Sequence, residues 1–178
     1  MVKMKLIFEK LDERLKAKFR NCKFLVLDFD GVLTDNYVFV DSRGNELVCC
    51  SRFDSLGLSM LKRAGVKIAV LSKEKNPVVR ARAKKLNIEC FQGIDDKAEF
   101  LINRIKSQKN KLADVCYVGN DLNDLGVFAE VGLSVAVGDA DKRLKQKANY
   151  VTKLNGGQGA VREICEFILF AKKIHPHP

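Results

Sequence analysis

The sequence has little of what several classes of protein require. No apolar run in its 178 residues approaches the roughly 20 residues of a membrane-spanning helix. Its first 20 residues mix acids with Lys and Arg, so we expect neither membrane insertion nor a signal peptide. None of its six cysteines forms a C-x-x-C pair, and its two histidines are at positions 175 and 177. This scarcity argues against a zinc site.

The spacing of the cysteines bears on a further class of enzyme, the cysteine-based phosphatases. The six cysteines are at positions 22, 49, 50, 90, 116 and 165. No cysteine is followed by Arg six positions later, which excludes a cysteine-based phosphatase. An even number permits disulfides, but without a secretion signal we expect free thiols in a reducing cytoplasm.

The charge is strongly one-sided, with 32 Lys+Arg against 22 Asp+Glu and a net charge of +10. Such an excess points to an anionic partner, nucleic acid among the candidates. However, the sequence has no basic strand interleaved with aromatics, no RNP-like string and no zinc finger, so a nucleic-acid partner is not expected. The composition, 47% hydrophobic and 30% charged, is typical of a globular domain.

Short apolar runs alternate with segments of helical periodicity. We predict strands at 24–27, 66–71, 88–91, 115–118, 133–137 and 150–151, and a hairpin from 37–40 and 46–50. We predict helices at 5–20, 55–63, 76–86, 96–107, 121–130, 141–147 and 159–172. This order favours an α/β, Rossmann-like fold, a mostly parallel sheet with helices on both faces and a hairpin insertion after the first strand. Residues 1–22 are predicted to form an amphipathic helical extension, and residues 23–178 a single domain.

Acidic residues follow two of the predicted strands. Asp28 and Asp30 directly follow strand 24–27, where unpaired carboxylates would repel each other and resist burial. Asp121 and Asp124 follow strand 115–118, where capping of a helix is an equally available role. With no His or Cys nearby, a bound cation at Asp28 and Asp30 would be hard, and Mg²⁺ is the natural choice.

Two further polar residues complement these acids. Ser72 follows strand 66–71, and Lys97 begins the helix 96–107. A metal, an ammonium group and a hydroxyl together suit a phosphoryl group, whose charge and oxygen atoms they match.

The chain resembles the haloacid dehalogenase superfamily, whose four motifs have counterparts here in the same order. These are Asp28-Phe29-Asp30-Gly31, Ser72, Lys97 and Gly119-Asn120-Asp121-Leu122-Asn123-Asp124. From about Phe24 to Phe170 the chain further resembles its capless branch of sugar-acid phosphatases. That branch includes phosphatases of 3-deoxy-D-manno-octulosonate (KDO) 8-phosphate and of nonulosonate (KDN or sialic acid) 9-phosphates. It also includes the C-terminal domain of some acylneuraminate cytidylyltransferases. The resemblance implies the corresponding fold without a cap domain and a phosphatase of sugar-acid biosynthesis.

The resemblance also implies roles for individual residues. Asp28 would attack phosphorus and form an aspartyl-phosphate, and Asp30 would act as acid and then as base. Ser72 and Lys97 would bind the phosphoryl group, and Lys97 would also orient Asp28. Mg²⁺ would be held by Asp28, the Asp30 carbonyl and a group of the turn at 119–121, with Asp124 in support.

One position departs from the pattern of that branch, which has Asp where this chain has Asn120. Either Asn120 is a neutral ligand or Asp121 replaces it. A Gly-Asn turn also occurs in the cytidylyltransferase-associated domains, so a non-catalytic oligomerisation or regulatory domain stands as the alternative to an enzyme.

Substrate contacts are predicted at four positions. Arg82 and Lys85 share a face of the helix 76–86 and could hold a sugar carboxylate. Glu74, two residues after Ser72, could accept from sugar hydroxyls and favours a nine-carbon nonulosonate. The resemblance implies a homotetramer in which the hairpin packs between subunits, and it places Arg162 and the glycines at 156–159 near an adjacent subunit's site.

Overall fold

Strands and helices alternate in the computed structural model, which describes residues 2–174 and, of these, the side chains from residue 4 onward. Met1 and residues 175–178, which include both histidines, lie outside the described residues. The strands are β1 (Phe24–Leu27), β2 (Thr34–Val40), β3 (Glu46–Cys50), β4 (Lys67–Leu71), β5 (Glu89–Phe91), β6 (Val115–Gly119), β7 (Leu133–Ala136) and β8 (Tyr150–Val151). The helices are α1 (Val2–Glu9), α2 (Glu13–Asn21), α3 (Arg52–Arg63), α4 (Pro77–Leu86), α5 (Lys97–Ser107), α6 (Leu125–Glu130), α7 (Lys142–Lys145) and α8 (Ala160–Ala171).

Six strands form one parallel sheet in the order β5-β4-β1-β6-β7-β8, and β2 and β3 pair as a separate antiparallel hairpin. The apolar run of β1 is buried along its whole length, as expected for a central strand covered on both faces. Within residues 2–174 no cap domain is inserted, and no helix has the length and apolar character needed to span a bilayer.

The predicted helix 5–20 is wrong in one respect, because the chain breaks into α1 and α2. The Asp12 carboxylate accepts from the Leu15 backbone N–H at 2.7 Å and caps a new helix at this point. Both helices pack on α8, where the Phe8 and Phe19 rings each lie 5.5 Å from the Phe167 ring.

Two other helices begin at residues other than those predicted. Ser51 accepts from the backbone N–H groups of Phe53 and Asp54, so α3 begins at Arg52 rather than at 55. The predicted helix 121–130 is a short 3-10 turn at Leu122–Asp124 followed by α6, because side chains of this turn bond to its own backbone.

Candidate active site

Three neighbouring parallel strands end together at one edge of the sheet. Leu27, the last residue of β1, lies opposite Val70 of β4 and Val118 of β6, so the residues after these strands meet at this edge. They open onto a cleft of about 660 Å³. The lining residues are Asp28, Asp30, Asn36, Ser72, Lys73, Glu74, Lys75, Asn120, Asp121, Leu122 and Asn123.

A buried ion-pair network lies at the floor of the cleft. The Lys97 Nζ lies 2.7 Å from Asp28 Oδ2 and 2.8 Å from Asp124 Oδ1, and the three side chains are at most 6% exposed. Lys97 is the first residue of α5, whose start is fixed by the Asp96 side chain accepting from the Glu99 N–H. The Tyr117 hydroxyl donates to the same Asp124 oxygen at 2.7 Å. The fold thus brings Asp28, Lys97 and Asp124, which are far apart in sequence, into direct contact.

The close contacts of this network shift the pKa values of Asp28 and Lys97. Burial, together with the charge of Asp124, raises the pKa of Asp28 to about 7, although Lys97 acts to lower it. Burial acts to lower the pKa of Lys97, but the charges of Asp28 and Asp124 outweigh it, and the net direction is upward. Lys97 is therefore a permanent cation at the base of the cleft.

Asp30 lies above this network and is partly exposed to the cleft. Burial raises its pKa, and the charges of Glu74 and Glu46 add to the rise. A carboxyl with a raised pKa at the mouth of a cleft can donate a proton to a substrate oxygen.

Ser72 is buried at the end of β4, and its hydroxyl accepts from the Glu74 N–H at 3.0 Å. A hydroxyl that accepts one hydrogen bond can donate another, so the group fits a phosphoryl oxygen. Glu74 lines the cleft, but one of its carboxylate oxygens accepts from the backbone N–H groups of Lys75 and Asn76. Only the other oxygen of Glu74 is left for a sugar hydroxyl.

The oxygen atoms available to a hard cation in the cleft come from both amides and carboxylates. Asn120 packs so closely on Gly31 that a Cβ there would overlap its amide, which places this amide beside the loop that bears Asp30. Asp121 is exposed, and its carboxylate accepts from the Leu122 N–H at 2.7 Å. Among residues 2–174 no three His, Cys, Asp or Glu side chains are grouped as a metal site by themselves. A Mg²⁺ here therefore needs amide, backbone carbonyl and water oxygens besides carboxylates, which this ion accepts.

Three of the predicted substrate residues do not line this cleft. Arg82 donates to Ser51 O at 3.2 Å and to Ser55 Oγ at 2.6 Å, and so ties α4 to the start of α3. Lys85 is exposed on α4 outside the cleft. Arg162 is bound through Nε to Glu166 at 2.7 Å. Arg82 and Lys85 lie three positions apart on α4, but neither of them lines the cleft of its own chain.

Five residues that line the cleft were not predicted as site residues, namely Asn36, Lys73, Lys75, Leu122 and Asn123. Lys73 and Lys75 flank Glu74 directly after the β4 strand end, and this position was the available signal for them. Tyr117 was also missed, because strand position predicts that the ring is buried but not which partner its hydroxyl finds.

Comparison with known proteins gives one consistent match. A family model described as haloacid dehalogenase-like hydrolase matches residues 71–164. The chain is 37% identical, over 153 residues, to the 3-deoxy-D-manno-octulosonate 8-phosphate phosphatase KdsC of Yersinia pestis. The match covers 85% of this chain and 82% of that protein.

Solved structures give the same result. The Moraxella catarrhalis 3-deoxy-D-manno-octulosonate 8-phosphate phosphatase, in complex with magnesium, phosphate and KDO, superposes with a TM-score of 0.88 at 34% identity, over 92% of this chain and 94% of the other. The cobalt-bound phosphatase from Haemophilus influenzae superposes with a TM-score of 0.83 at 36% identity, over 88% and 92%.

Proposed function

Because the chain belongs to the haloacid dehalogenase-like hydrolase family and is a phosphoric monoester hydrolase that uses Mg²⁺, we propose that it hydrolyses a 3-deoxy sugar-acid phosphate. The first candidate is 3-deoxy-D-manno-octulosonate 8-phosphate. The relatives that act on this compound match most of the chain, and one of them binds the corresponding sugar acid.

The buried ion pair between Lys97 and Asp28 carries the proposed mechanism. Lys97 favours the ionised carboxylate of Asp28, which attacks phosphorus, so that a bond to Asp28 forms as the bond to the sugar oxygen breaks. Asp30 gives its proton to that oxygen. Asp30 then takes a proton from the water that cleaves the aspartyl-phosphate.

The remaining site residues bind charge. Ser72 and Lys97 contact the phosphoryl oxygens, and Asp124 and Tyr117 keep Lys97 in place. The residues that would hold Mg²⁺ are Asp28, the Asp30 carbonyl and either Asn120 or Asp121. When bound, the ion supplies positive charge to the phosphoryl group. Comparing Asn120→Ala with Asp121→Ala for the Mg²⁺ requirement identifies the ligand: the variant that needs more Mg²⁺ has lost it.

The sugar end of the substrate is expected beside Lys73 and Lys75, whose ammonium groups complement a sugar carboxylate. Glu74 between them favours a second candidate, a nonulosonate 9-phosphate, whose longer polyol chain has more hydroxyl groups to donate to it. In the folded chain Arg82 and Lys85 lie outside the cleft, so a role for them or for Arg162 requires the site of a neighbouring subunit.

A homotetramer is part of the proposal. Large apolar side chains stand 44–75% exposed on the hairpin and the adjacent start of α3, namely Tyr37, Val38, Phe39, Val40, Leu47, Phe53 and Leu56. Contiguous apolar exposure of this kind marks interaction sites, and a second copy of the chain is the proposed occupant. Phe39→Asp should yield smaller species in light scattering, whereas Leu6→Asp, an exposed apolar residue on α1, should not. A wild-type monomer at micromolar concentration contradicts the tetramer.

Phosphate release from both candidate substrates, with saturating Mg²⁺, tests the function. We expect wild type to turn over at least one of them, Asp28→Asn to turn over neither, and Asp12→Asn, an acid far from the cleft, to match wild type. If wild type releases phosphate from neither compound, the proposed substrate class is wrong. All six cysteines are free thiols, and three of them, Cys49, Cys50 and Cys90, are at least partly exposed. The assay is therefore run under reducing conditions, in keeping with the cytoplasmic location that we propose.

A further inference from the structure

Asp54 is a buried carboxyl that the proposed mechanism does not use. It lies in the first turn of α3, is 1% exposed and does not line the cleft. Its Oδ1 accepts from the backbone N–H of Arg162 in α8 at 2.8 Å. Asp54 therefore joins two helices that are far apart in sequence.

This contact supplies the N-cap that α8 lacks. The residue at the N-cap position is Gly159, which has no side chain to accept a hydrogen bond. Arg162 is the third residue of the helix, and the N–H at this position is one that a capping oxygen normally satisfies. A carboxylate is also favoured at a helix N-terminus by the helix dipole. Asp54 thus caps α8 from outside its own segment.

The start of α8 is in turn packed on the loop that carries Asp30. The glycine loop, residues 156–159, runs directly into α8, and its Gly157 N–H donates to Val32 O at 3.0 Å. A Cβ added at Gly156 would overlap the Gly31 carbonyl, and one at Gly157 would overlap the Asp35 and Thr34 backbone. The glycine loop therefore packs directly against the turn that follows Asp30.

We propose that Asp54 is a positioning residue, which by capping α8 holds the glycine loop against the turn that follows Asp30. The proposal rests on the proposed role of Asp30 as proton donor. Stability alone does not account for this carboxyl: burial raises the pKa of Asp54 to about 6 although backbone hydrogen bonds from Arg162 and Gly159 lower it. Above that pH the charged form costs folding free energy.

Leaving-group dependence separates positioning from general damage. Phenyl phosphate needs a proton on its departing oxygen, whereas p-nitrophenolate leaves without one. The measured quantity is the ratio of kcat/KM for phenyl phosphate to kcat/KM for p-nitrophenyl phosphate. Because kcat/KM covers the steps up to departure of the leaving group, this ratio reports on the proton donor. A variant that is merely less folded loses the same factor with both esters, so its ratio stays at the wild-type value.

The variants are assayed as full-length protein with saturating Mg²⁺. Asp54→Ala should lower kcat/KM for phenyl phosphate about tenfold more than for p-nitrophenyl phosphate, a fraction of what a general acid contributes. Asp54→Asn keeps the accepting oxygen and should restore the wild-type ratio. Ser51→Ala removes the cap of α3 itself, leaves the Asp54 carboxyl in place, and should also keep the wild-type ratio.

A wild-type ratio in folded Asp54→Ala overturns the inference. If that variant does not fold, Asp54→Ser, whose hydroxyl is too short to reach the Arg162 N–H, is judged by the same ratio. Asp30→Asn tests the role of Asp30 as proton donor separately from the link between Asp54 and Asp30. This variant should lower the ratio most. If Asp30→Asn leaves the ratio unchanged, the assigned role of Asp30 has failed; if only Asp54→Ala leaves it unchanged, the link through α8 has failed.

Discussion

Replacing Lys97 with methionine is expected to destabilise the folded chain as well as inactivate it. The side chain is 1% exposed and lies between Asp28 and Asp124, at 2.7 and 2.8 Å. Methionine fills similar space but leaves two buried carboxyls without their cation. Removing one partner from a buried ion pair costs about 3–5 kcal/mol. We expect a loss of that size in the free energy of unfolding at pH 8.

The loss should depend on pH in a definite direction. The pKa of Asp28 is raised by burial from 3.8 to about 7, so the folded state holds a proton that the unfolded state has released. Stability therefore falls as the pH rises through this window. Lys97 acts to lower the pKa of Asp28, so its removal raises that pKa further and extends the fall to higher pH. The deficit of Lys97→Met should be smaller at pH 5 than at pH 8.

Urea unfolding measures both effects. The chain has no tryptophan, so far-UV circular dichroism is the suitable probe, with EDTA present so that no divalent cation compensates the carboxyls. The control is Lys106→Met, which removes an exposed lysine from the same helix and should change stability by no more than about 0.5 kcal/mol. The electrostatic account of the network is wrong if Lys97→Met has the same urea midpoint as wild type at pH 8. It is also wrong if the variant loses as much free energy of unfolding at pH 5 as at pH 8.

Three further substitutions probe the same site. Asp28→Asn should abolish phosphate release yet raise the urea midpoint at pH 8, because it removes a buried charge; measurable turnover would contradict its role as nucleophile. Asn120→Asp should lower the Mg²⁺ concentration for half-maximal activity, since it adds a carboxylate to the cation's donors; an unchanged titration would place the ion away from this residue. Tyr117→Phe should cost about 1 kcal/mol in urea unfolding and lower kcat more than it changes KM, because Asp124 loses a donor but the substrate loses no contact.

The strand ends were predictable because apolar runs mark parallel strands clearly. Once 24–27, 66–71 and 115–118 are strands of one parallel sheet, the residues after them must share an edge. The sheet of the structure confirms the predicted α/β fold, and the comparisons with known proteins confirm the hydrolase family and the phosphatase class. The roles of individual site residues remain predictions, although the sheet brings Asp28, Ser72 and Lys97 to one place.

The features that were not predicted depend on side chains that compete for backbone hydrogen bonds and on the direction in which a helix face points. Residues 5–20 have continuous helical periodicity, but the Asp12 side chain offers its own backbone a cap and divides the helix. Periodicity places Arg82 and Lys85 on one face of α4, but it does not say what that face contacts. The choice is made by packing, where Ser51 and Ser55 of α3 accept the Arg82 guanidinium. Similarly, a capping carboxyl such as Asp54 cannot be paired with α8 by spacing along the chain.

The charge of the whole chain and the charge of the site differ in sign. The cleft is lined by four carboxyls, Asp28, Asp30, Glu74 and Asp121, and by the ammonium groups of Lys73 and Lys75. Lys97 and Asp124 lie beneath them. Even with Asp30 protonated, as the mechanism requires, four carboxylates stand against three ammonium groups, so the site is net negative although the chain carries +10. Lysines more than about 8 Å away are screened at physiological salt and cannot offset this for a phosphate dianion. The divalent cation is therefore needed to reverse the sign of the site, while the surplus lysines act at most by steering anions towards it.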